Sequence, residues 1–222
     1  MVSAVFGIGT ALIVLALGSY ILPVKETIAL ATVLFTASTI SKSVLYSKQI
    51  DWKLVCMMSV ASLPFAYWGA TLMTDVPGEI LRKLLGAMLL LYVGMSAFKL
   101  LPKVNIGTPG LLAGSAAYGF LSGLLGSGNL IKAILFREMN ITKEAFVGAM
   151  AATSVVANIV KIIAYTDAGL LNAKLKLPAM GLAIAAVSAV AVGRCLLGGI
   201  GNSQFSIGLQ IILGISAIGL LL

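Results

Sequence analysis

Lys42 and Tyr46 stand four residues apart, and Lys161 and Tyr165 repeat the same step 119 residues later. On a helix, a spacing of four puts the ammonium and the phenol on one face, one turn apart. Both pairs lie inside long apolar runs. A lysine at the centre of a membrane helix costs ~2.5–3.5 kcal/mol on insertion scales, so an intramembrane cation is a functional suspect. Two cations at matched positions, each with a hydroxyl donor one turn on, suit the binding of an anion. The bland alternative is snorkelling, because each lysine sits four residues before the end of its apolar run and can reach the headgroups. Snorkelling explains one such lysine; the repetition favours a shared role.

A second repeated feature points the same way. Gly126-Ser127-Gly128-Asn129 interrupts the apolar run 110–136 and is followed by the cation Lys132. Gly7-Ile8-Gly9-Thr10 is its counterpart 119 residues earlier, with Ile13 in the place of Lys132. Within lipid, irregular backbone survives only where protein buries it or where it lines a cavity. A break followed by a new helix aims free N–H groups and the positive end of a dipole inward, which suits an anion. Ser127, Asn129 and Thr10 add side-chain donors. Glycines also serve close helix packing, and Gly119 and Gly123 fit that simpler role. Lys132, unmatched, reads either as a further cation of the site or as a residue facing a water-filled vestibule.

The segment after each break carries a polar stripe. Met150, Ser154, Asn158, Lys161 and Tyr165 follow spacings that put them on one helix face, and Thr32, Thr36, Thr39, Ser43 and Tyr46 do so with Lys42 beside them. Lys25-Glu26 and Lys143-Glu144 open these segments, with the glutamate at the positive end of the helix dipole. Each half therefore reads Gly-x-Gly, Lys-Glu, Lys-x-x-x-Tyr in the same order. Internal repeats in polytopic proteins place their sites where the halves meet, on interrupted helices. The reading divides the chain into a first membrane repeat over 1–103 and a second over 104–222.

The elements that must position these groups are membrane helices. The 222 residues are 60% hydrophobic and 10% charged, with a mean hydropathy of +1.09; soluble domains carry about 25% charged residues. The apolar residues fall in unbroken blocks rather than in the alternation of a barrel strand. The blocks run over 2–22, 26–46, 54–73, 81–101, 110–136, 145–165, 177–198 and 205–222. The expected class is an all-α polytopic membrane protein of about eight segments in two four-segment repeats, with the first and fifth interrupted. Re-entrant first and fifth segments would make the repeats inverted and bring both breaks to the midplane, which is the favoured topology. Pro23, Pro77, Pro102 and Pro178 fall at segment edges, whereas Pro64 predicts a kink. Cys56 and Cys195 read as buried small apolar residues.

The loops leave no room for a soluble domain, and histidine is absent. No nucleophile with a base partner and no metal-ligand spacing is present, so neither an enzyme nor a cofactor is expected. The net charge of +8 is scattered, without the basic patches and interleaved aromatics of a nucleic-acid binder. The expected partners are a small anion and the bilayer, and a homodimer is compatible with the chain. Lysine and arginine divide evenly between the two sides, so the positive-inside rule selects no orientation.

The stretch Gly119–Lys132, GFLSGLLGSGNLIK, resembles the glycine-rich signature of the TauE/SafE family of sulfite exporters. Ala152-Thr153-Ser154, the Lys161–Tyr165 step and Gly169-Leu170 are similar to that family's second half. Phe6-Gly7-Ile8-Gly9, the helix over 29–43, Ile50-Asp51-Trp52-Lys53 and Leu81-Arg82-Lys83-Leu84-Leu85-Gly86 are similar to its first. Asn129 and Thr10 stand where the family often has glycine, and Ala133 stands near its usual proline. The resemblance implies a transporter of sulfite, sulfoacetate or another organosulfonate with a duplicated helical fold. A passive anion channel, a carrier of a non-sulfur anion and an assembly subunit without substrate are the competing expectations.

Overall fold

The structure is a computed structural model that describes residues 14–97, 107–137, 143–171 and 173–196. Among these residues every regular element is helical. The first, α1, covers residues 14–21. It is followed by α2 (Val24–Leu45), α3 (Trp52–Asp75), α4 (Gly78–Ala97), α5 (Thr108–Leu125), α6 (Asn129–Arg137), α7 (Lys143–Asp167) and α8 (Ala173–Leu196). A single 3-10 turn, Ser47–Gln49, links α2 to α3.

The helix ends follow local chemistry. Glu26 and Glu144 fall in the first turns of α2 and α7, where a carboxylate opposes the positive dipole end. Asp51 caps α3 by accepting from the Leu54 N–H at 3.1 Å. Pro109 stands in the first turn of α5, where its missing N–H costs nothing. Gly169, at φ 73, closes α7, and the Leu170 N–H returns to the Tyr165 carbonyl at 2.9 Å. The α3 helix runs unbroken past Pro64. Pro178 does not mark an edge: α8 begins five residues before it, so Pro178 lies within the helix. The flanking Ala173–Leu177 turn carries Lys174 and Lys176 and lengthens the helix beyond its apolar part.

Three helices, Val24–Leu45, Trp52–Asp75 and Glu144–Asp167, are long and apolar enough to cross a membrane. The expected eighth segment, 205–222, and the Gly7–Thr10 break lie outside the described residues. Cys56 is exposed rather than buried. It lies on the face of α3 turned outward, where lipid rather than protein accommodates an apolar side chain.

The packing is organised around α3, α5, α7 and α2. The most extensive contact is α3 along α5, while α7 lies against both α2 and α3 and α8 lies against α2. Glycine permits the α3–α5 approach. A Cβ at Gly119 would strike the Ser62 carbonyl, one at Gly123 the Ala66 carbonyl, and one at Gly69 the Phe120 carbonyl. This is backbone-to-backbone packing of the kind small residues allow in membranes, the simpler role expected of Gly119 and Gly123. Tyr165 pins α7 to the same place by donating to the Gly123 carbonyl at 2.5 Å.

The run 110–136 is not one helix. It stops at Leu125, Gly126 takes a left-handed φ of 79, and a new helix begins at Asn129. The second helix folds back on the first: Gly128 abuts Tyr118 and Ser122, and Gly114 abuts the Leu135 side chain. The nine residues of α6 reach about 14 Å at the helical rise. That is half the thickness of the hydrocarbon core. The α5–α6 unit is thus a hairpin with its turn in the interior.

Candidate functional site: two buried lysines around a helix hairpin

The turn of the hairpin is buried on every side. Gly126, Ser127 and Gly128 are all buried, and a Cβ at Gly126 would touch Ile28 of α2 and Leu15 of α1 at 3.2 Å. Against this turn lies the polar face of α7. Lys161 is 0% exposed, and its ammonium donates to the Gly126 carbonyl at 3.2 Å and to the Ser122 hydroxyl at 3.1 Å. It therefore does not snorkel. It closes the carbonyl end of α5, where a cation is favoured, and among the described residues it uses two of its three donors.

Lys132, on the returning arm, is also 0% exposed. It donates to the Met150 carbonyl at 2.8 Å, to the Thr153 hydroxyl at 3.3 Å and to the Ser154 hydroxyl. Its ammonium lies 4.4 Å from the centroid of the Tyr118 ring, a cation–π contact. This residue faces protein, not an open vestibule. The Tyr118 side chain interacts with both Ser122 and Ser154. A buried polar cluster consequently joins Lys161, Ser122, Tyr118, Ser154 and Lys132.

Two further polar side chains of the site are buried. Ser127 is 4% exposed and Asn158 is 3% exposed. Asn158 lies between Ser154 and Lys161 on the same face of α7. Asn129, which starts α6, is half-buried.

The residues expected from the first half are arranged differently. Thr39 is half-buried and returns its hydroxyl to its own helix, at the Phe35 carbonyl 2.7 Å away. Thr32, Thr36 and Ser43 do the same. Lys42 is half-buried and makes no side-chain hydrogen bond among the described residues. Tyr46 caps α2 beside Gly148 of α7. Gly7, Gly9 and Thr10 lie outside the described residues. The structure thus gathers Gly126, Ser127, Gly128, Lys132, Ser154, Asn158, Lys161 and Tyr165 around the hairpin, and it leaves Lys42 and Tyr46 near the far end of α2.

Sequence reasoning passed over Tyr118, Ser122 and Thr153. The signal was there for two of them: Tyr118 and Ser122 are one turn apart on α5 and lead directly into the glycine break. Thr153 adjoins Ser154 but lacks the spacing of the stripe.

The electrostatics of the site are one-sided. Six of the seven acidic residues are described, and none is buried: Glu26 is half-buried, while Asp51, Asp75, Glu79, Glu144 and Asp167 are exposed. The ion pair between Lys83 and Glu79 is a surface contact. The two buried ammonium groups therefore face only neutral oxygens among the described residues. Each uncompensated buried ion costs several kcal/mol. No three metal-ligating side chains converge among the described residues, so these offer no metal cage.

The family model of the sulfite exporter TauE/SafE matches residues 1–220, nearly the whole chain. The chain belongs to the TauE/SafE family. It is accordingly a membrane protein of a transporter family associated with export of sulfur anions. No curated protein and no solved structure matches the chain. Family membership and the helices long and apolar enough to cross a membrane agree on a membrane setting for the chain.

Proposed function

We propose that the protein is a secondary transporter that moves a small sulfur-containing anion, such as sulfite, sulfoacetate or another organosulfonate, across the cell membrane in a multi-pass fold. The observation that carries this reading is the pair of fully buried lysines, Lys132 and Lys161, with no buried carboxylate beside them among the described residues. A sulfonate or sulfite offers three oxygens to an ammonium, to the hydroxyl of Ser127 and to the amide of Asn158. The N–H groups at the start of α6 and the dipole behind them add to the attraction.

The site belongs between two repeats, 1–103 and 104–222. The packing supports this division: α3 lies on α7 as α8 lies on α2, and α2 and α7 meet at the centre. That reciprocity suits a pseudo-twofold axis. Read as a re-entrant hairpin, α5–α6 adds no crossing, and the three apolar segments that the sequence places after it would give the second half three. An odd number makes the repeats inverted, the arrangement that carries substrate sites at the midplane. Thr39, Lys42, Tyr46, Gly7, Gly9 and Thr10 are then the first-half counterparts of the same site.

A thermal-shift screen of the purified protein tests the reading. Sulfite, thiosulfate and sulfoacetate are expected to raise the melting temperature above the matched carboxylates and taurine. No shift with any anion would contradict it.

A further inference from the structure

The two buried lysines of the hairpin spend their donors differently. An ammonium has three N–H groups. Lys132 gives one each to the Met150 carbonyl at 2.8 Å, the Thr153 hydroxyl at 3.3 Å and the Ser154 hydroxyl, all on α7. The Tyr118 ring of α5 lies against the same ammonium, 4.4 Å away at its centroid. Lys132 is 0% exposed, so no donor remains for a ligand. Lys161 uses two of its three donors among the described residues. Lys132 also shares Tyr118 with Gly128, one turn before it: Gly128 brings its backbone against that residue and Lys132 its ammonium. The Gly128 carbonyl opens the first turn of α6 by accepting from the Ile131 N–H at 3.1 Å. One side chain thus joins the first turn of α6 to both α5 and α7. The repeat supports the pairing. In the register that matches Lys42 to Lys161, Ile13, Leu34 and Phe35 stand in the places of Lys132, Thr153 and Ser154. The donor and its two hydroxyl acceptors are absent together from the first half, as expected of groups that serve one another.

Resting on the transport reading above, we infer that Lys132 is a positioning residue: it ties the first turn of α6 to α7 and does not touch the anion, which leaves Lys161 as the ammonium that meets it. Lys132 acts through the turn 127–129, because the tie fixes where the N–H groups at the start of α6 point. Binding groups held in place in advance need no ordering when the ligand arrives, and that saving appears as affinity.

Calorimetric titration of the full-length protein in detergent with sulfite and sulfoacetate tests the inference, alongside the melting temperature without ligand. Lys132→Met is expected to lower the melting temperature by at least about 3 °C. It should weaken binding by about fivefold, against about a hundredfold for Lys161→Met. Thr153→Val combined with Ser154→Ala cuts the tie from the other side. In that double variant the further loss from Lys132→Met should shrink to within about twofold. A loss in Lys132→Met equal to that in Lys161→Met would overturn the inference, as would an unchanged melting temperature. A loss undiminished in the double variant would also overturn it, because a ligand ammonium would be missed in either background. If Lys132→Met fails to fold, the double variant decides alone: a lower melting temperature with weaker binding supports the tie, and unchanged values overturn it. Absence of binding to the unmodified protein would overturn the transport reading, and the inference with it.

Discussion

Lys161 and Lys42 occupy equivalent places in the two halves of the sequence, and they live in different surroundings. Lys161 is fully buried and bonded to the turn of the α5–α6 hairpin. Lys42 is half-buried and makes no side-chain bond among the described residues. Their tyrosine companions differ in the same sense: Tyr165 is buried and tied to Gly123, whereas Tyr46 caps the end of α2. The lesson is that a repeated motif sets the position of a group on its helix, while the element packed against that helix sets its work. On the proposed function, the hairpin and its returning arm with Lys132 are what would give the second half a preorganised anion site. The first half supplies a cation of lesser weight.

Several substitutions would sharpen or break this contrast. The largest effect is expected from Lys161→Met, which removes a buried charge from the site. Anion affinity should fall by about a hundredfold, or ~2.7 kcal/mol, whereas Lys42→Met should cost under about threefold. Equal losses in calorimetry would erase the distinction between the halves.

The packing beneath the site comes next. Gly119→Ala forces a methyl group into the Ser62 carbonyl, and such overpacking costs about 1–3 kcal/mol. A melting temperature unchanged by the substitution would refute the close α3–α5 approach. Gly126→Ala strains a left-handed residue, at about 1–2 kcal/mol per residue, in the turn that Lys161 caps. It should lower both stability and anion affinity. The smallest effect separates the tyrosines. Tyr165→Phe leaves the Gly123 carbonyl without its donor and should cost about 1 kcal/mol in denaturant unfolding, while Tyr46→Phe should be neutral. A neutral Tyr165→Phe would show that the hydroxyl does not pin α7 to α5.

Much of this arrangement was legible in the residues. The unbroken apolar blocks announced membrane helices, and Gly126-Ser127-Gly128 announced the interruption, because glycine and serine are poor helix formers in a long apolar segment. The i, i+4 stripe of Ser154, Asn158 and Lys161 gave the face of α7 that meets the hairpin. The partners of those groups were not legible. Whether a lysine snorkels or turns inward depends on the neighbouring helix, and nothing local in the α7 sequence reveals that the carbonyl end of α5 lies within reach of Lys161. Tyr118 was hidden for the same reason, since its role comes from a cation on the returning arm. Pro178 misled because a proline one turn inside a helix resembles a proline at its edge, and Cys56 misled because apolar residues in lipid face outward as readily as inward.

The most direct test of the account is sulfite and sulfoacetate counterflow in proteoliposomes containing the purified protein or Lys161→Met. A carrier with its site at the hairpin predicts that internal unlabelled substrate drives transient accumulation of labelled substrate, and that Lys161→Met abolishes it. Uptake that never exceeds equilibration, or counterflow that survives Lys161→Met undiminished, would contradict it.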